Sequence, residues 1–117
     1  GRDEMLLAVL PFGIKGAVGS TYNYAAPLYH QLMNACKSGD MKRAHELQTI
    51  SIEMVRLITQ YNEIAAGKAI MSWLGVECGI VRSPLKNLTE ADCQAINQTL
   101  SHASWISYLC KMEYSAV

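Results

Sequence analysis

The chain has 117 residues, with ten Lys plus Arg against ten Asp plus Glu and a formal net charge of zero. It therefore offers no basic stripe to nucleic-acid phosphates and no polybasic segment to an anionic membrane. Half of the residues are hydrophobic and 17% are charged, too apolar for intrinsic disorder, and the length suits one domain at most.

Residue 1 is glycine, followed at once by Arg2, Asp3, Glu4 and an apolar run, a pattern expected where a chain enters in mid-fold. Asp3 is placed as the N-cap of a helix reaching about Phe12, with Glu4 in its positive first turn, before Pro11 and Gly13 stop it. The small, apolar stretch 16–20 is bounded by turn residues and predicts one short buried strand. From 22 to 37, Ala25, Leu28, Tyr29, Leu32, Met33 and Cys36 recur every three or four positions and predict a helix with one apolar face. Ser38-Gly39 closes it and Asp40 caps the next, a helix over 41–61 striped by Ala44, Leu47, Ile50, Met54, Leu57, Ile58 and Tyr61. Gly67 is expected to interrupt the helical run, with a short helix over 68–74 before a loop over 75–87 that holds Gly79 and Pro84. Thr89 and Asp92 have capping-box spacing for a last helix carrying Cys93, Ile96, Leu100 and Ala103, continued by Trp105, Ile106 and Leu109 to the terminus. The chain by itself is thus predicted to be mostly α-helical with a single strand, and a lone strand leaves its backbone groups without partners. These residues are expected to complete a larger α/β structure.

Cys36, Cys78, Cys93 and Cys110 lie 42, 15 and 17 positions apart, without a C-x-x-C pair, and read as buried thiols of a reducing compartment. Neither they nor His30, His45 and His102 have the close pairing of a zinc site, and no metal or cofactor is expected. Apolar runs such as 5–10 fall far short of the ~20 residues that span a bilayer. With no basic segment ahead of a cleavage site, a cytoplasmic protein without membrane or nucleic-acid partners is expected.

Two loops hold the residue types suited to chemistry. Adjacent carboxylates, Asp3 and Glu4, sit at a helix start, and Gly19-Ser20 at a strand end. In an α/β barrel both would lie on the face where ligands bind. Carboxylates accept hydrogen bonds from hydroxyls, serine donates or accepts, and glycine admits close approach, a set suited to a polyhydroxylated ligand. Taken alone, the same residues are more simply read as caps and turns. Ser20 lacks the second glycine of a nucleophile elbow, since position 22 is tyrosine. Lys68 is more simply a surface or ion-paired lysine than an amine nucleophile. Trp73 and Trp105 read as core or interface anchors, and Met54 and Met71 as core filler.

The pattern Gly1-x-Asp3-Glu4, followed by Gly16-Ala-Val-Gly19-Ser20-Thr21-Tyr22-Asn23, resembles the end of the seventh strand through the eighth strand of the N-acetylneuraminate lyases. These sialic acid aldolases belong to a superfamily that includes dihydrodipicolinate synthase. The Gly39-Asp40 turn, Gly67-Lys68-Ala69 and Pro84-Leu85 are similar to the C-terminal helices of those enzymes. The resemblance implies the C-terminal portion of a (β/α)8 TIM barrel with extra C-terminal helices. Residues 1–38 would form the last helix-strand-helix segment and 39–117 the helical extension, with no complete independent domain. It further implies a class I aldolase, homotetrameric at full length, that reversibly cleaves N-acetylneuraminate to N-acetylmannosamine and pyruvate through a lysine Schiff base. Gly1, Asp3, Glu4, Gly19 and Ser20 match positions that hold the sugar portion. The Schiff-base lysine, the proton-shuttling tyrosine and the loop holding the pyruvate carboxylate match nothing here. Lys68 falls on a C-terminal helix position, and Arg2 and Pro11 depart from the family pattern outside its motifs. A barrel takes about 250 residues, so this chain holds less than half of one. It is expected to be inactive alone. The alternative is a catalytically inactive helical interaction or oligomerisation module derived from the lyase.

Overall fold

The computed structural model describes residues 1–111. A short helix α1 (Leu6–Val9) is flanked by 3-10 turns at Asp3–Met5 and Leu10–Phe12, and four longer helices follow. These are α2 (Tyr22–Ser38), α3 (Met41–Ile58), α4 (Glu63–Trp73) and α5 (Glu90–His102), with a last 3-10 turn at Ile106–Tyr108. Among the described residues no helix is long and apolar enough to cross a membrane.

The boundaries of α2 and α3 follow from local chemistry. Gly39 takes a left-handed φ of 81°, and the Gly39 and Asp40 N–H groups donate to the Cys36 and Ala35 carbonyls, closing α2. The Asp40 carboxylate then accepts from the Arg43 N–H at 3.0 Å and opens α3. Within α2, Ala25 departs from helical geometry at φ −127° and ψ 29°, two residues before Pro27. A proline ring crowds the carbonyl four residues back, so the kink relieves that clash. Beside the kink, the Tyr24 carbonyl accepts from the Cys110 N–H at 2.8 Å, tying the end of the described chain to α2.

The apolar stripes predicted for α2 and α3 face each other. Leu28, Leu32, Leu47 and Met54 are buried together with Ile70 of α4 and Ile96 and Leu100 of α5. Each such side chain contributes about 1.5–3 kcal/mol relative to leaving it in water. Gln48 of α3 accepts from the Leu7 N–H at 2.7 Å, satisfying a first-turn donor of α1 and pinning residues 3–12 against the helix pair.

Five local expectations are corrected. Residues 14–19 carry no regular secondary structure, and the described residues contain no strand; a strand needs a ladder partner, and none lies beside this stretch. The helix expected up to Phe12 is broken into short turns, and Asp3 does not cap it, because its carboxylate is turned toward Thr21. Gly67 lies inside α4, where a Cβ would sit 3.4 Å from the Tyr24 ring, so the helix continues and α2 packs closely against it. The last helix ends at His102 rather than running on through Leu109, and its expected continuation beyond Lys111 lies outside the described residues. Trp105 and Leu109 are nonetheless buried against the core. Cys36, Cys93 and Cys110 are only half-buried and Cys78 is exposed, so none is the buried thiol expected; all four are free.

Candidate functional site

Gly1, Asp3, Glu4, Gly19 and Ser20, the five residues singled out in the sequence, all line one cavity of about 190 Å³. Arg2, Thr21, Val55, Ile58 and Glu63 complete its wall. The two loops are drawn together by contacts that exclude side chains. A Cβ on Gly1 would lie 2.9 Å from the Val18 carbonyl oxygen, and one on Gly19 would lie 1.8 Å from Asp3 Oδ1. Gly19 therefore acts first as space for the Asp3 carboxylate.

Asp3 is buried, yet its charge is well supplied with donors. Oδ2 accepts from the Thr21 N–H at 3.0 Å and from the Thr21 hydroxyl at 2.5 Å. Charge-assisted bonds of this kind are roughly twice as strong as neutral ones. Glu4 is half-buried, 3.7 Å from the guanidinium of Arg2, whose side chain is 78% exposed. So open an ion pair contributes little. Glu63 reaches the same cavity from the first turn of α4, which the Asn62 side chain caps by accepting from the Ala65 N–H. Three carboxylates against one cation suit a ligand rich in hydroxyl donors over an anion.

Tyr22 and Tyr29 stand edge to face beside Asp3, with ring centroids 4.4 Å apart. The Tyr22 phenol is raised above its ordinary value by burial, then by the charge of Asp3 and the neighbouring Tyr29. Burial also raises Tyr29, against the lowering effect of its hydrogen bonds with Ser51 and Thr21. Both phenols remain protonated donors at working pH.

A larger hollow of about 360 Å³ lies elsewhere, between α4, α5 and the 75–88 segment. Lys68 lines it, but its ammonium donates to the carbonyls of Cys78 at 2.8 Å and Ile80 at 2.9 Å. It anchors a loop, and both of its carbonyl partners are structural. Trp73 borders this hollow and is 38% exposed, whereas Trp105 is buried as expected of a core anchor. Among the described residues no group of three or more His, Cys, Asp or Glu side chains is gathered so as to hold a metal ion.

Arg2, Thr21, Val55, Ile58 and Glu63 were missed in the sequence; Arg2 lies between two motif residues, at a position that departs from the family pattern. Thr21 adjoins the motif and invites inspection for that reason. The other three arrive from α3 and α4, and nothing in their local sequence points to the cavity.

Residues 1–103 match the Dihydrodipicolinate synthetase family. The N-acetylneuraminate lyase of Lactiplantibacillus plantarum is 37% identical over 99 residues, covering 82% of this chain and 34% of that protein. The N-acetylneuraminate lyase of Rhizobium meliloti is 29% identical over 101 residues, covering 86% and 34% respectively. Among solved structures, Proteus mirabilis N-acetylneuraminate lyase superposes with a TM-score of 0.81 at 36% identity, over 87% of this chain and 35% of that one. N-acetylneuraminate lyase (sialic acid aldolase) from Aliivibrio salmonicida superposes with a TM-score of 0.84 at 32% identity, over 95% and 36%. The chain spans about a third of the length of the curated relatives it matches.

Proposed function

This chain belongs to the Dihydrodipicolinate synthetase family, its helices forming a portion of that family's barrel fold, and from that premise we propose that it is the C-terminal part of an N-acetylneuraminate lyase. In this reading it supplies the contacts that recognise the sugar portion of the substrate, while the lysine and tyrosine that perform the carbon–carbon cleavage belong to the remainder of the barrel. The single observation that carries the proposal is the gathering of Gly1, Asp3, Glu4, Gly19 and Ser20 around one cavity.

The roles follow from the chemistry of the side chains. Asp3 and Glu4 accept hydrogen bonds from sugar hydroxyls, Ser20 donates or accepts at the rim, and Gly1 and Gly19 let the two loops close on each other with the Asp3 carboxylate between them. A site that satisfies several hydroxyls discriminates strongly, because an analogue lacking one leaves a buried polar group unpaired. The apolar residues Met5, Val9, Phe12, Ile14 and Val18 are exposed, the last at 90%. Such a surface supports a segment that packs against further barrel strands. Residues 1–38 would then close the barrel and 39–117 form its helical extension, in a tetrameric, cytoplasmic enzyme acting on N-acetylneuraminate, N-acetylmannosamine and pyruvate. The 117-residue chain alone would be inactive.

The test is the intact mass of the protein in its native source, read with pyruvate release from N-acetylneuraminate. A chain of lyase length that releases pyruvate is expected. A native chain near 12.9 kDa without that activity would overturn the proposal in favour of an inactive helical module.

A further inference from the structure

Behind the cavity lies a chain of hydrogen bonds among residues whose roles the sugar contacts do not explain. Thr21 Oγ1 is 2.6 Å from the Tyr29 hydroxyl, which is 2.9 Å from Ser51 Oγ. The Asp3 backbone carbonyl oxygen, 3.4 Å from Ser51 Oγ, is a longer-range competitor for the same Ser51 proton. Asp3, Thr21, Tyr29 and Ser51 are all buried, Ser51 completely. Neither Tyr29 nor Ser51 lines the cavity.

The direction of this chain follows from what each group can do. A carboxylate only accepts, so the Thr21 hydroxyl spends its proton on Asp3 Oδ2. Thr21 Oγ1 must then accept from Tyr29, and the Tyr29 oxygen must accept from Ser51. Donors therefore run one way, from Ser51 of α3 through Tyr29 of α2 to Thr21 and the carboxylate. Aligned donors polarise one another in a dry interior. Two donors on Oδ2 fix the plane of the carboxylate, and Oδ1 is left facing Gly19, which lines the cavity.

We propose that Tyr29 and Ser51 are positioning residues, which hold the Asp3 carboxylate through Thr21 in the orientation that sugar recognition requires. This rests on the reading of the cavity as the sugar site and extends it to helix α3, whose packing against α2 sets the carboxylate's geometry. A recognition group held by such a second layer loses affinity when its support loosens, without any loss of ligand contact.

The test uses a lyase-length protein carrying this sequence, with three readouts: KM and kcat for N-acetylneuraminate cleavage, borohydride trapping of pyruvate, and the melting temperature. Tyr29→Phe removes one oxygen and keeps the ring against Tyr22. It is expected to raise KM for N-acetylneuraminate about five- to tenfold, the scale of one buried hydrogen bond, while pyruvate trapping stays at the wild-type level. In an Asp3→Asn background the same change should add less than about twofold, because residues acting through one group are not additive. Ser51→Ala provides the second variant should Tyr29→Phe not fold, with the same pattern at smaller size. A KM within twofold of wild type for either folded variant would overturn the proposal, and so would an undiminished effect in the Asp3→Asn background. Wild-type protein that neither releases pyruvate nor binds N-acetylmannosamine would instead overturn the reading of the cavity, and the proposal with it.

Discussion

Replacing Gly19 by alanine tests the geometry of the cavity at its tightest point. The new Cβ would lie 1.8 Å from Asp3 Oδ1 and 2.4 Å from its Cγ, where an ordinary contact begins at 3.4 Å, so about 1.6 Å of separation must be found. Asp3 is short, buried and held by two Thr21 donors, and it cannot swing aside while keeping them. Hydrogen bonds to charged groups are each worth about 1.5–3 kcal/mol. Some yielding of the irregular 14–19 segment offsets part of this, and a net loss of about 3 kcal/mol is expected, the upper end of the ordinary single-residue range. In a lyase-length protein carrying this sequence, with an m-value of ~3 kcal/mol/M, the urea midpoint should fall by about 1 M. Gly16→Ala is the internal control, because a Cβ there meets nothing within 4 Å, and its effect should stay within about 0.5 kcal/mol. In an Asp3→Ala background the cost of Gly19→Ala should largely vanish. Equal midpoints for Gly19→Ala and Gly16→Ala, or an undiminished cost without Asp3, would refute the clash as the cause.

Four further outcomes follow from other parts of the molecule. Thr89→Ala removes a capping box in which Thr89 Oγ1 accepts from the Asp92 N–H and Asp92 Oδ2 accepts from the Thr89 N–H, and should cost about 1 kcal/mol by denaturant unfolding. The hydrogen bonds from the Thr89 backbone and side chain hold the Asp92 carboxyl below its usual 3.8. Its stabilisation is thus full above the unfolded value and lost as pH falls through the lower folded one, so the wild-type advantage over Asp92→Ala should shrink below about pH 4. Lys68→Met removes the donor to the Cys78 and Ile80 carbonyls; protease cleavage within 75–87 should quicken while helical circular dichroism is unchanged. Leu47→Ala opens a hole in the fully buried α2–α3 interface and should cost about 2–5 kcal/mol in urea unfolding, where a loss under 1 kcal/mol would contradict the packing described.

Where neighbouring residues alone decide the backbone, the sequence was legible. The Gly39-Asp40 boundary and the Thr89–Asp92 cap appear as expected because each is settled within four positions. The stripes of α2 and α3 were readable because they bury a face, even though α2 is kinked near Pro27. Reading failed where distant residues decide. Asp3 has the makings of an N-cap, but Thr21, 18 positions on, takes its carboxylate. Gly67 looks like an interruption until the Tyr24 ring is seen packed on it. The strand expected over 16–20 finds no ladder partner among the described residues, and the stretch stays irregular. The five residues that line the cavity were singled out through resemblance, since their local chemistry is more simply that of caps and turns. Tyr29 and Ser51 were missed because an apolar helical face hides two hydroxyls that meet only when α2 and α3 pack.

The most direct test of the central claim is the saturation curve for pyruvate release from N-acetylneuraminate by a lyase-length protein carrying this sequence, wild type against Ser20→Ala. If Ser20 holds a sugar hydroxyl, KM should rise about tenfold, the scale of a lost specific hydrogen bond, while borohydride trapping of pyruvate is unchanged. Superimposable curves would contradict the assignment of this cavity to the sugar.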